Sequence, residues 1–189
     1  MEYTESIRRA YDAASSDQRE RGAEWYRDYA ERLAQHAEQA GVNFDIACAV
    51  VGVSSINTRP EPGLVWTARM LNGATGGHLP LVVSRARSIL SDAADFETAR
   101  EIACPSSSPS RKVRSFTCNV RTGGQTCDHD VPCVTIDRWA HYVATDGTRK
   151  DVPSGRMYER VADAYRAVAL ELDIPVAILQ AIVWVVVAE

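Results

Sequence analysis

No stretch of this chain is apolar over the roughly 20 residues that a bilayer-spanning helix needs. The nearest is IPVAILQAIVWVVVAE, residues 174–189, which falls short and is interrupted by Gln180. It predicts a buried helix and no membrane partner. The N-terminal MEYTESIRRAYDAASSDQRE has no apolar core of the signal-peptide kind, so a cytoplasmic protein is expected. Positive charge is also short. With 21 Lys and Arg against 25 Asp and Glu, the net charge is −4. That removes the bulk signature of a nucleic-acid binder and leaves only a local basic patch to carry one. Cysteine is sparse and odd in number, five in all, which argues against a secreted disulfide scaffold. No segment alternates with period two, and no repeat is visible, so neither a sheet nor a solenoid is expected.

What is present is helical periodicity. The 189 residues, 46% hydrophobic and 24% charged, suit one core, as a single domain or a globule of two lobes around a cleft. Residues 1–20 read as a polar N-terminal lead and 21–189 as a single helical globule. From Arg21 to Ala40 the apolar positions Trp25, Tyr26, Tyr29, Leu33, Ala37 and Ala40 recur at helical spacing, with Gly41 as the stop. Residues 44–56 are almost wholly apolar, and Asn43 as N-cap favours helix over strand. TRPEPG, 58–63, reads as a turn, with helices following over 64–71, 80–90, 95–103 and 111–121. Thr135 is expected to cap a helix from Ile136 to about Thr145. Tyr158, Val161, Ala162, Tyr165, Val168, Ala169 and Leu172 form one stripe, and Asp173 is expected to cap the last helix. The class is all-α.

Two segments carry candidate chemistry: SPSRKVRSF, 108–116, and VTIDRWAHYV, 134–143. A lysine that opens a helix feels the positive end of the helix dipole and, once desolvated, has a lowered pKa. A neutral amine is a nucleophile that can form a Schiff base with a sugar aldehyde. A carboxylate can stabilise an oxocarbenium-like sugar, as in glycoside cleavage. Lys112 and Asp137 therefore suit N-glycosidic chemistry on a base flipped out of the duplex. The plainer reading makes Lys112 a solvated cation and Asp137 a cap for first-turn amides.

The pair of segments resembles the helix-hairpin-helix DNA glycosylase superfamily of the endonuclease III type. That family has a Pro-Gly-x-Gly-Arg-Lys hairpin, a helix, then a Val-Asp-Thr-His-like segment. On this resemblance Lys112 is the attacking lysine and Asp137 the assisting aspartate. A DNA partner and a two-lobed fold with a cleft are implied, with lobe one at about 44–133 and lobe two from 21–43 plus 134–189. Residues 49–71 and 158–184 look like segments of phage relatives grouped with thymine-hypermodification enzymes, which implies a phage-encoded protein working in the host cytoplasm. The chain departs from the family at the hairpin glycines, where Ser108 and Ser110 flank Pro109. Glycine allows the close backbone approach to phosphate, so the phosphate grip is weakened. The Lys–Asp spacing is longer by roughly GGQTCDHD. No cysteine follows Cys133, so no iron–sulfur cluster is expected.

Other residues complete the expected site. Arg111, Arg114 and Arg121, with Lys112 and Ser110, make a phosphate-facing patch or else a solvated helix face. Trp139, Tyr142 or Trp66 could stack on a flipped base. His141 shares a helix face with Asp137 and could move a proton. Gln180 is either a buried structural contact or part of the base pocket. Cys118, Cys127, His129 and Cys133 admit a zinc set, against free thiols or a disulfide; no metal or other cofactor is the expectation. Three functions stay open. They are a glycosylase acting on a base in DNA, a base-hypermodification enzyme using the same pocket, and an inactive module that binds DNA or protein.

Overall fold

The computed structural model describes residues 3–108, 111–126 and 132–188, and every regular element among them is a helix. In order these are α1 (Tyr3–Ala13), α2 (Ser16–Ala40), α3 (Phe44–Ser54), α4 (Pro60–Leu71) and α5 (Pro80–Asp92). Then follow α6 (Phe96–Ala103), α7 (Lys112–Arg121), α8 (Arg138–Ala144), α9 (Gly155–Leu172) and α10 (Val176–Ala188). The all-α class is as expected. No single helix among the described residues is long and apolar enough to cross a membrane.

Several boundaries differ from the sequence reading. α4 starts at Pro60, because proline suits the first helical turn, where its missing N–H costs nothing. The turn expected over 58–63 is therefore mostly helix. Asp173 does not cap α10. It ends α9 in the left-handed conformation, φ 52°, and its N–H bonds back to Leu170. Asn43 does cap α3, with its side chain accepting from the Asp45 N–H at 2.8 Å.

The chain divides into two compact units: Met1–Asp28 with Pro109–Glu189, and Tyr29–Ser108. In the second unit α3 is the centre. Ala47 through Ser54 are all buried, and α4, α5 and α6 pack around them. An all-apolar helix has no solvent face to keep and so belongs inside. The last half of α2 joins this unit, since Tyr29 donates to the Pro60 carbonyl at 3.1 Å and Arg32 forks onto Glu61 at 2.8 and 2.6 Å.

In the first unit the core is formed by Val161, Ala162, Tyr165 and Val168 of α9, with Leu179 and Val183 of α10, Ala140 and Val143 of α8, and Ile7 of α1. The expected polar lead is thus a packed helix. Ile7, with Tyr3, Ala10 and Tyr11 beside it, makes an apolar stripe among the charges. Segment 109–133 also goes with this unit and not with 44–108. Phe116 of α7 lies 6.1 Å from Tyr26 and 6.3 Å from Trp25, ring centre to ring centre. α2 meets α10 at Gly22, where a built Cβ would stand 2.4 Å from the Ile182 Cα.

Candidate functional site

Lys112 is the first residue of α7 and Asp137 is the N-cap of α8, both in the first unit. Between α7 and α8 the chain reaches an extended stretch, Val134–Ile136, whose residues are all buried. Tyr158 of α9 holds it in place. The tyrosine hydroxyl donates to the Val134 carbonyl at 2.8 Å, accepts from the Ile136 N–H at 3.2 Å, and lies 3.3 Å from Ser115 Oγ. Thr135 does not cap α8 as expected. Asp137 does, its Oδ1 accepting from the N–H of Trp139 at 2.9 Å and of Ala140 at 2.8 Å.

Thr135 is spent elsewhere. Its hydroxyl sits in a buried network, 3.1 Å from the Tyr26 hydroxyl and 3.1 Å from Asn119 Nδ2, and Tyr26 also donates to Gln180 Oε1 at 2.9 Å. Burial pushes the Tyr26 phenol up to about 12, so it stays a neutral donor. Gln180 is thus buried and takes part in this network through its Oε1. The network and Tyr158 together fix the backbone that leads into Asp137. Tyr158→Phe is expected to cost about 2 kcal/mol, since it strands a buried N–H and a buried carbonyl. Urea melts of the two proteins measure this.

The electrostatics join Lys112 to Asp137. Each residue is only half-buried, but the charged ends face inward. Burial holds the Lys112 amine below the usual lysine range; the Asp137 carboxylate opposes that shift and Arg138 adds to it. Burial raises the Asp137 carboxyl above the usual aspartate range, against the amides of Ala140 and Trp139 and the charge of Lys112. Desolvation thus outweighs mutual attraction on both sides. The lysine shift comes first from burial, the condition that the sequence reading attached to it. Both shifts favour the neutral form of each group relative to the same group in water.

The remaining expected residues divide. Trp139 and Tyr142 do come together on α8, edge to face at 6.1 Å, and the Lys150 ammonium lies 3.4 Å above the Trp139 ring centre and 5.5 Å from that of Tyr142. His141 is fully buried, its Nδ1 3.0 Å from the Asp151 carbonyl, so it ties down the loop after α8. Trp66 belongs to the second unit, is 5% exposed, and donates its indole N–H to the Gly76 carbonyl at 3.1 Å. Of the expected phosphate patch, Arg111 pairs with Glu159 at 3.0 Å, Arg114 is half-buried and Arg121 is exposed on the last turn of α7. Ser110 lies outside the described residues.

The alternative zinc set cannot be assembled from what is described. Cys127 and His129 lie outside the described residues, and among the described residues no three His, Cys, Asp or Glu could hold a metal ion.

Sequence reasoning missed Lys150, Tyr158 and the Tyr26–Asn119–Thr135 group. Tyr158 was visible only as a member of the α9 stripe, where its ring is core and its hydroxyl does the holding. The partners of Lys150 are on the same short helix, at 139 and 142, a spacing that marks one face once the helix boundaries are known.

Neither the curated proteins nor the solved structures contain a match to this chain. A family model does match, and it covers residues 1–189. The chain therefore belongs to DUF7178, a family of unknown function.

Proposed function

We propose that this protein acts on a base or modified base in DNA by N-glycosidic chemistry, with Lys112 as the amine and Asp137 as the carboxylate. The observation that carries the reading is the desolvated Lys112–Asp137 pair, whose two groups shift each other's titration within one unit. A lysine held below its usual range supplies free amine at lower pH than a surface lysine does. Attack by that amine on the sugar C1′ breaks the C1′–N bond and expels the base; the sugar ring then opens at C1′–O4′ to leave an imine to Lys112, the two amine protons going to the departing base and to O4′, with Asp137 stabilising positive charge that develops on the sugar. The resemblance to the helix-hairpin-helix glycosylases, with a two-lobed arrangement and a cleft for DNA, belongs to this proposal.

The sign of the pH dependence follows. Lys112 must lose its proton and Asp137 must keep its charge, so activity rises with pH. Because burial lowers the Lys112 amine, the rise is complete at lower pH than an ordinary lysine would require.

Borohydride reduction in the presence of DNA carrying a damaged base tests the amine. The wild-type protein is expected to become covalently joined to the DNA, and Lys112→Met to lose the adduct. No adduct with the wild type removes the Schiff-base route. One observation favours a second reading, a module that binds without cutting. Both amide contacts of Asp137 Oδ1 are those of an ordinary helix cap. On that reading DNA is bound at low salt, no base is released, and no adduct forms.

A further inference from the structure

Lys150 occupies an unusual position for a surface lysine. It is exposed, yet among the described residues it has no carboxylate within ion-pair distance. Its neighbours are otherwise matched: Arg149 with Asp151 at 3.3 Å, Arg9 with Asp146 at 2.7 Å. The ammonium instead sits over the Trp139 ring at 3.4 Å, with the Tyr142 ring on its flank. Trp139 is half-buried and the Lys150 that covers its ring is exposed. Arg138, the residue before it, is exposed and also lacks a carboxylate within that distance among the described residues.

We infer that the Trp139 face and Lys150 form a subsite for a nucleobase with its attached phosphate, which Lys150 closes when the subsite is empty. The chemistry is complementary in both states. Empty, the ammonium is satisfied by the negative face of the indole. Occupied, a base ring takes the place of the ammonium on the indole. Lys150, on a flexible stem, moves off to the phosphate that comes with the base. A neutral aromatic ligand would displace Lys150 without giving it a partner, and a cation would meet Lys150, Arg138 and Arg149. An anionic nucleotide is the ligand that leaves no charge stranded. Asp137 caps the helix that carries Trp139, so the subsite lies at the same helix start as the Lys112–Asp137 pair. The inference rests on the DNA-directed reading for the strand, but the binding event is separate from base release.

The test is quenching of tryptophan emission, with a single-stranded thymine oligonucleotide in one arm and thymidine monophosphate in the other. The two arms tell a nucleic acid from a free nucleotide as the source of the same group. Quenching is expected in wild type and lost in Trp139→Phe to the extent that Trp139 emits. Trp139→Ala is expected to weaken oligonucleotide binding about tenfold or more, the usual loss for one stacked base. Lys150→Met keeps a stem over the ring and removes the charge. It should weaken binding and flatten the dependence of log affinity on log salt by about 0.7. Circular dichroism of each variant confirms that it is folded; Lys150 is exposed, so its replacement keeps the test open if Trp139→Ala unfolds. Binding that stays within about twofold of wild type in Lys150→Met, with an unchanged salt slope, overturns the inference, and so does the absence of quenching by both ligands at low salt. Base release by the same variants distinguishes the two failures. Release abolished by Asp137→Asn with binding indifferent to Lys150 sinks the subsite alone. Binding that depends on Lys150 and Trp139 with no release by wild type sinks the glycosidic reading alone.

Discussion

Asp137→Asn is expected to reduce base release about a thousandfold while leaving the protein folded and slightly more stable at neutral pH. The loss follows from the role of the carboxylate, since an amide of the same shape carries no charge to offer the sugar. The stability follows from the cap and from burial. Asparagine caps a helix about as well as aspartate, so the bonds to the Trp139 and Ala140 amides survive. The carboxyl is raised above its ordinary range by burial despite the neighbouring Lys112, so the folded protein disfavours its charged form. A group with a raised carboxyl pKa favours folding most below the unfolded value, about 3.9, and loses that contribution as pH rises through the folded value. The advantage of Asn over Asp should therefore be present at neutral pH and shrink on acidification. Urea melts at the two pH values measure the stability, and base release on the same preparations measures the chemistry. A residue kept at a cost in stability is what an active site would retain. A marked destabilisation at neutral pH would instead make Asp137 a structural cap whose charge the fold requires.

The largest stability effect is expected at Gly22. Alanine in the middle of a helix normally stabilises by about 1 kcal/mol relative to glycine. At this position the added carbon would lie 2.4 Å from the Ile182 Cα and 2.7 Å from its backbone N. Those are backbone atoms of α10, which cannot rotate out of the way as a side chain would. α2 and α10 would have to separate, loosening Trp25 from Trp184, whose rings are 5.7 Å apart. We expect Gly22→Ala to destabilise by about 3 kcal/mol, at the upper end for overpacked cores, with a fall in Tm of about 10 °C. Thermal denaturation measures it. Because propensity and packing pull in opposite directions here, a stabilised Gly22→Ala would contradict the close approach itself.

The parts of the fold that were legible in the sequence are those set by local periodicity. The stripe of α9 from Tyr158 to Ala169 is buried as read, and so are Tyr26, Tyr29, Leu33 and Ala37 of α2. What was not legible depends on partners distant in sequence. Thr135 and Asp137 are both good caps by type, and only the buried company of Thr135, Tyr26 and Asn119, decides which of them caps α8. Residues 1–20 read as a polar lead, yet Ile7 is buried in the core with residues of α9 and α10. Segment 109–133 reads as continuous with what precedes it, yet Phe116 and Asn119 pack on Trp25, Tyr26 and Thr135. Of the candidate site, the order and chemistry of Lys112 and Asp137 could be read from two short segments. The partners that Trp66, His141 and Gln180 find could not, because the bonds of each polar atom are properties of the packed chain.

Whether Lys112 and Asp137 act as one unit on DNA is open to direct measurement. Base release from duplexes carrying damaged or hypermodified bases, followed by mass spectrometry, measures this for the wild type, Lys112→Met, Asp137→Asn and the double variant. The account predicts release by the wild type, loss in each single variant, and no further loss in the double variant than in the worse single one, as for groups that work together. No release by the wild type from any duplex, or losses that simply multiply in the double variant, would contradict it.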